Sequence, residues 1–81
     1  MEIYYKNNYY KERFQMIVAI NGEKVSFIDP ITIASFLASK CIQPDTVVVE
    51  HNKIIVPSED YQTTWLNHQD NLEILRFVGG G

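Results

Sequence analysis

The sequence predicts an α+β fold in which a mixed sheet of four to five strands packs against one main helix. Three observations support it: an Asn-Gly pair between alternating apolar segments, one stretch with helical apolar spacing, and a later β-branched run. Eighty-one residues with 46% apolar content suffice for one compact domain with a single core. We therefore expect one domain built around that helix.

The first predicted element is a β-hairpin centred on Asn21-Gly22. The alternating apolar residues before the turn are Met16, Val18 and Ile20. Asn-Gly is the strongest short signal for a two-residue hairpin turn, because both residues readily take positive φ. On the returning strand Val25 and Phe27 alternate with polar residues, so we expect both to face the core.

A single helix is predicted from Thr32 to Lys40. The apolar residues at helical spacing are Ile33, Phe36, Leu37 and Cys41. The Thr32 side chain can cap the first turn, and Pro44 stops any continuation. We expect Cys41 to pack as a small apolar residue at the end of this stripe rather than to serve as a reactive thiolate.

Two strands and an irregular connection are predicted after the helix. Thr46 to His51 is a β-branched run, and Lys53 to Val56 is a shorter one that Pro57 ends. The connection from Ser58 to Leu66 has no clear period. Its candidate core anchors are Tyr61, Trp65 and Leu66.

A final strand is predicted from Leu72 to Val78. Leu72 and Ile74 face one side of this strand, while Leu75 and Phe77 face the other. The long crossover through the helix permits a parallel pairing between the first and last strands. A mixed sheet in this order with a helix across one face is the ubiquitin-like β-grasp.

The predicted domain covers residues 16–78, between an N-terminal extension over residues 1–15 and a flexible glycine tail over residues 79–81. Four of the five tyrosines fall in the extension. The extension is either a poorly ordered arm or a hairpin that could mediate self-association.

Composition argues against several classes of function. A formal charge of -3 gives no overall attraction to nucleic acid or to an anionic membrane surface. No apolar run approaches the roughly 20 residues that cross a bilayer, and the first residues do not resemble a signal peptide. We therefore expect a cytoplasmic protein with no nucleic-acid and no membrane partner. Cys41 is the only cysteine, which excludes an internal disulfide and a four-cysteine metal site.

The polar residues suggest no metal or catalytic site. His51 is expected at the sheet margin and His68 in a turn, and neither has an Asp or Cys at an evident ligand spacing. Asp70 is interpreted as a turn residue, solvated like its loop neighbours. We expect no metal, no cofactor and no enzymatic activity in the chain itself.

Several segments and the glycine end carry a resemblance to a known family. They are Ile20 to Glu23, Thr32-Ile33 with Phe36-Leu37, Val47 to Glu50, Ile55 to Pro57, Leu72 to Ile74, and Arg76 to Gly81. From about Met16 to Gly81 the chain resembles the ThiS family, the sulfur carriers of thiamine biosynthesis. It differs from the common family pattern at Asn52-Lys53, at Ser58 and at His68 to Asp70, all in turns or loops.

The resemblance implies a carrier that is activated by other proteins at Gly81. An E1-like adenylating enzyme, which itself binds ATP, would form an adenylate at this residue. Sulfur from a persulfide donor would then replace AMP to give a thiocarboxylate, which donates sulfur to thiazole synthase. Gly79 and Gly80 would form the flexible tail that presents Gly81.

The residue types at the C-terminus suit this chemistry. A carboxylate is a poor electrophile because its charge is delocalised, so it must become a mixed anhydride before sulfur can attack. Glycines lack Cβ and can enter a narrow channel that excludes water. Three of them after a strand also let one terminus reach two active sites in turn.

A docking surface is predicted beside the tail. Leu75 and Phe77 point away from the core, and Val48 can join them in an exposed apolar patch of the kind that often marks partner surfaces. The alternatives are that the N-terminal arm covers this strand or that these are scattered surface apolar residues. Val78 and Arg76 complete the predicted docking residues. Arg76 either steers the tail toward an acidic or phosphate-lined entrance or is a solvated surface arginine.

Other functions remain compatible with the sequence. One is a sulfur carrier for molybdopterin or another product, and a second is a ubiquitin-like modifier that is conjugated to lysines. A third is an interaction module whose glycine end is incidental.

Overall fold

The computed structural model describes residues 15–77, which form five strands, one α-helix and two short 3₁₀ turns. The elements are β1 (Met16–Ile20), β2 (Glu23–Phe27), α1 (Ile33–Ser39), β3 (Val47–His51), β4 (Ile54–Val56) and β5 (Asn71–Arg76), with 3₁₀ turns at Pro44–Thr46 and Ser58–Asp60. The strands form one sheet in the order β2-β1-β5-β3-β4. The predicted α+β class and β-grasp architecture are confirmed.

The predictions for the N-terminal extension and for the glycine tail lie outside the described residues, as does the prediction for Val78. Among residues 15–77 no helix has the length and apolar character needed to cross a membrane.

The β1–β2 hairpin forms at the predicted turn. Asn21 and Gly22 both have positive φ, at 49° and 86°, which is the pattern of the type I′ turn whose twist suits a hairpin. The register pairs Ile20 with Glu23 and Val18 with Val25. Val18 is fully buried, so the predicted inward face of the hairpin is the one that meets the core.

The helix has the predicted extent, between the caps Thr32 and Lys40, but the feature that ends it is not the predicted one. Thr32 caps it, because its Oγ1 accepts a hydrogen bond of 3.1 Å from the backbone N–H of Ser35. At the other end Cys41 has a φ of 59°, and the N–H of Ile42 donates to the carbonyl oxygen of Leu37 at 2.9 Å. This is the Schellman arrangement, which ends a helix without any contribution from Pro44.

The prediction that Cys41 packs into the core is therefore wrong. Cys41 is an exposed free thiol, because the left-handed backbone at this position turns its side chain out of the helical stripe. Ile42 packs against the core in its place.

The core lies between α1 and one face of the sheet. Its buried apolar residues are Val18, Ile33, Phe36, Leu37, Val47, Val49, Tyr61, Leu66 and Leu72. Phe27 packs edge-on against Phe36 with ring centroids 5.8 Å apart, which ties β2 to the helix.

Two of the three predicted anchors in the connection after β4 are buried. Tyr61 and Leu66 have 3% and 2% of their surface exposed, but Trp65 is 54% exposed, so the prediction for Trp65 is wrong. The segment pairs briefly with the start of the helix through an isolated bridge between Thr32 and Trp65. Adjacent side chains on an extended segment point to opposite sides, so burying Leu66 turns Trp65 outward.

Candidate functional site: the C-terminal strand and its exposed face

β5, the strand that leads toward the glycine tail, lies in the centre of the sheet. It pairs in parallel with β1, through Ala19 with Asn71 and Ile20 with Leu72, as the sequence allowed. On its other side β5 pairs antiparallel with β3, from Val47 opposite Arg76 to His51 opposite Leu72. After the strand ends, the N–H of Phe77 still donates to the carbonyl oxygen of Thr46 at 3.0 Å. The described chain therefore remains fixed to the sheet up to its last residue.

The side chain of Asn21 extends the support of β5 beyond the end of β1. Its Oδ1 accepts from the N–H of Ile74 at 2.7 Å, and its Nδ2 donates to the carbonyl oxygen of the same residue at 3.2 Å. These two bonds occupy both backbone groups of Ile74, as a neighbouring strand would do. The hairpin turn thus also braces the strand that leads to the tail.

A second asparagine in a turn holds the start of β5. Asn52 and Lys53 both have positive φ, at 53° and 71°, and connect β3 to β4. The Asn52 N–H donates to the carbonyl oxygen of Asn71 at 2.8 Å, and its Oδ1 accepts from the Asn71 N–H at 2.8 Å. β5 is therefore braced near both ends by asparagine residues from tight turns.

Asp70, just before β5, is a buried junction between three segments and not the solvated turn residue that the sequence suggested. Only 9% of its surface is exposed. Its Oδ2 lies 2.6 Å from Nε2 of His51 and 2.7 Å from the backbone N of Asn67, and its Oδ1 accepts from Nδ2 of Asn52 at 3.1 Å.

The hydrogen bonds outweigh burial at this carboxylate. Burial alone would raise the pKa of Asp70, but the bonds from His51, Asn52 and the Asn67 N–H favour the charged form. The net result is a lowered pKa for the Asp70 carboxyl. Sequence spacing did not suggest this contact, because His51 and Asp70 meet only through the pairing of β3 with β5, which places His51 opposite Leu72.

The structure brings together three of the predicted docking residues on the sheet face opposite the helix. Val48 lies directly across from Leu75 in the β3–β5 register. Leu75 is 52% exposed and Phe77, two residues further on, is 58% exposed, while Val48 is half-buried. We call Val48, Leu75 and Phe77 the outer patch.

An acidic pair borders the outer patch. Glu50 and Glu73 are direct cross-strand partners next to the Val48–Leu75 pair, and both are half-buried. Like charges directly opposite each other on a sheet repel, so this arrangement does not serve stability. Lys53 lines the same depression as the two glutamates and Leu75, so charges of both signs border the patch.

Arg76 lies on the other side of the sheet from the outer patch. It pairs with Val47, which is buried against the helix, so its side chain leaves the sheet on the helix side and is exposed there. The structure therefore separates Arg76 from Leu75 and Phe77, with which the sequence grouped it.

The other candidate polar residues have structural contacts. Nδ1 of His68 accepts a hydrogen bond of 3.0 Å from the N–H of Ile17, where β1 begins. Within residues 15–77 no three His, Cys, Asp or Glu side chains are grouped so that they could hold a metal ion.

Comparisons with known proteins agree with this architecture. A model of the ThiS family matches residues 18–81. The sulfur carrier protein ThiS of Bacillus subtilis is 39% identical over 66 residues, which span 80% of this chain and 100% of that protein. The crystal structure of ThiS from Geobacter metallireducens matches with a TM-score of 0.70 and 28% identity, over 82% of this chain and 100% of that one.

A larger protein also contains a similar segment. A thiazole synthase of Paramagnetospirillum magneticum is 38% identical over 66 residues, which span 82% of this chain but 20% of the synthase.

The fold and the central, doubly braced C-terminal strand are those of a small ubiquitin-like β-grasp protein. The chain belongs to the ThiS family, the sulfur carriers of thiamine biosynthesis. The resemblance seen in the sequence is thereby confirmed.

Proposed function

We propose that the chain carries sulfur as a thiocarboxylate on Gly81 and donates it for thiazole formation in thiamine biosynthesis. The terminal carboxylate attacks the α-phosphorus of ATP held by an E1-like adenylating enzyme, and pyrophosphate leaves. The terminal sulfur of a persulfide then bonds to the acyl carbon as AMP leaves. A thiol then attacks the donor's sulfur in the remaining S–S bond, forms a disulfide with it, and releases the thiocarboxylate on Gly81.

The observation that carries this proposal is the family match, which includes the glycine end, together with the central position of the strand that precedes it. A partner that draws the tail into its active site needs a rigid body to hold. The domain is such a body, and β5 is fixed within it, because β1, β3 and the side chain of Asn21 support this strand.

The thiazole synthase match supports the choice of acceptor. In the Paramagnetospirillum protein, a segment similar to this chain forms part of the same polypeptide as the synthase. A carrier and the enzyme that consumes its sulfur gain a high effective concentration when they are joined. This observation favours thiazole formation over molybdopterin or lysine conjugation. Because the first step uses ATP, we place the cycle in the cytoplasm.

The proposal is tested by intact mass. The chain is incubated with the adenylating enzyme of its own genome, ATP and a persulfide source, and a mass gain equal to the difference between sulfur and oxygen is expected. The matched control is the chain lacking Gly79 to Gly81, which should keep the same melting temperature and gain no mass. An unchanged mass of the full chain, with an enzyme shown to be active on ATP, contradicts the proposal.

A further inference from the structure

A second exposed surface lies near the end of β5, on the helix side of the sheet. It is a groove of about 320 Å³ between the C-terminal end of α1 and the ends of β1, β3 and β5. Its apolar lining includes Phe36, Ile42 and Ile74, and its charged lining consists of Lys40 and Arg76. We call it the helix-side groove.

The two cations of the groove have no carboxylate partner in the described part of the chain. Within residues 15–77 an ion pair joins His51 to Asp70, and both of these residues lie outside the groove. Nζ of Lys40 lies 5.9 Å from the ring centroid of Phe36, within the range of a cation–π contact, although the residue itself is exposed. Arg76 enters the same groove from β5.

This combination has a definite chemical complement. The chain as a whole is acidic, with a formal charge of -3, so two neighbouring cations beside apolar surface are a local exception. An apolar side chain would gain by burial on Phe36, Ile42 and Ile74, while an adjacent carboxylate would meet Lys40 and Arg76. The volume is near the lower end of the roughly 300 to 1,000 Å³ of ligand clefts, which suits a few side chains of a peptide segment.

We propose that the helix-side groove binds a segment of the adenylating enzyme that carries apolar and acidic side chains next to one another. This inference rests on the proposed function and adds the chemistry of one contact. The outer patch and the groove lie on opposite sides of the sheet near the end of β5. A partner that occupies both holds the strand from two faces and fixes the direction in which the tail leaves the body.

The test measures the affinity of the full chain for that enzyme by calorimetry, without ATP. Reversing both charges with Lys40→Glu and Arg76→Glu should weaken binding at least about tenfold, since two attractive contacts become repulsive. The matched control compares single reversals: Lys24→Glu changes the net charge as Lys40→Glu does, but Lys24 lies on β2, outside both the groove and the outer patch. This control should change the affinity less than about threefold, as expected for a non-specific charge effect.

A second variant separates charge from shape. Lys40→Arg with Arg76→Lys keeps both cations and should bind within about threefold of the wild type. Amide spectra of all variants check that the fold is intact.

Two results overturn the inference. If the wild type binds the enzyme and the groove reversal binds equally well, or if Lys40→Glu binds no worse than Lys24→Glu, the groove proposal fails while the proposed function stands. If the wild type does not bind at all, the proposed function and the groove proposal fail together.

Discussion

At the scale of single residues, Asp70 shows how the hydrogen bonds of one carboxylate can support the start of β5. The carboxylate accepts hydrogen bonds from His51 on β3, from Asn52 in the following turn and from the backbone of Asn67. It thereby joins β3 and its turn to the segment that enters β5. Removing its charge should loosen the start of the strand that leads to the tail.

Asp70→Asn should lower the free energy of unfolding at pH 7 by about 1 to 3 kcal/mol, the usual range for hydrogen bonds to a charged group. The pKa of Asp70 is lowered in the folded state, so its stabilising effect is present above the unfolded pKa of about 4 and is lost as the pH falls through the folded value. Urea denaturation between pH 7 and pH 2 should therefore give free energies of unfolding for the wild type and for Asp70→Asn that converge at the acid end.

Asp45→Asn is the matched control for this experiment, because Asp45 is exposed in the turn before β3. Its effect should stay within about 0.5 kcal/mol, as for most surface changes. A stability of Asp70→Asn equal to that of the wild type at pH 7 would show that the contacts to His51 and Asn52 contribute nothing net.

At the scale of the elements, the two tight turns do more than reverse the chain. Asn21 and Asn52 each form a hairpin turn with positive φ and also hydrogen-bond the backbone of β5, at Ile74 and Asn71 respectively. The asparagine side chain can do this because it carries both a donor and an acceptor, like a peptide group. Glycine would suit either turn but could not brace the strand.

Asn21→Gly should therefore keep the turn and lose the brace. We expect faster hydrogen exchange at the Ile74 amide and a loss of about 0.5 to 1.5 kcal/mol in stability, as for a typical hydrogen bond. Native-state exchange by NMR measures both effects.

Asn52→Gly is the control for position, because it should speed exchange at Asn71 and leave Ile74 protected. If Ile74 exchanges equally fast in the wild type and in Asn21→Gly, the brace seen in the structure has no energetic role.

The elements also show what the sequence could predict. The Asn21-Gly22 turn, the Thr32 cap and the β-branched run of β3 are local signals, and each appears where it was expected. Cys41 and Trp65 were placed wrongly because their positions depend on a Schellman cap and on pairing with Thr32, which apolar spacing does not encode.

At the candidate site, too, local features could be predicted from the sequence, whereas contacts between distant segments could not. Alternation along the last strand predicted that Leu75 and Phe77 are exposed, since alternation is a local property. His51 contacts Asp70, and Lys40 and Arg76 line the same groove. Both arrangements bring together segments that are distant in sequence. An antiparallel pairing of the predicted strands that became β3 and β5 is the signal that could have predicted the contact of His51 with Asp70.

At the scale of the whole molecule, the sheet separates two environments. One face meets the helix and holds the core, and the other presents the outer patch beside the Glu50–Glu73 pair. The half-exposed Leu75 and Phe77 have no role in the core, and neighbouring exposed apolar residues often mark a partner surface. The proposed function supplies two such partners.

Leu75→Asp should weaken binding to the adenylating enzyme by about tenfold or more, because it places a charge in the centre of the proposed contact and adds to the nearby acidic pair. Ile54→Asp is the matched control, since Ile54 is 70% exposed and lies on the edge strand β4. Affinity is measured by calorimetry on both variants. Equal losses in the two would remove the outer patch as a specific docking surface.

The central position of β5 also determines how the molecule responds to force. Under the proposed function, a partner that drew the tail along the axis of β5 would load this strand in shear. The hydrogen bonds to both neighbouring strands must then break together, whereas an edge strand peeled sideways would lose them one at a time. Traction on the C-terminal end along this axis would therefore be shared by the neighbouring strands on both sides of β5.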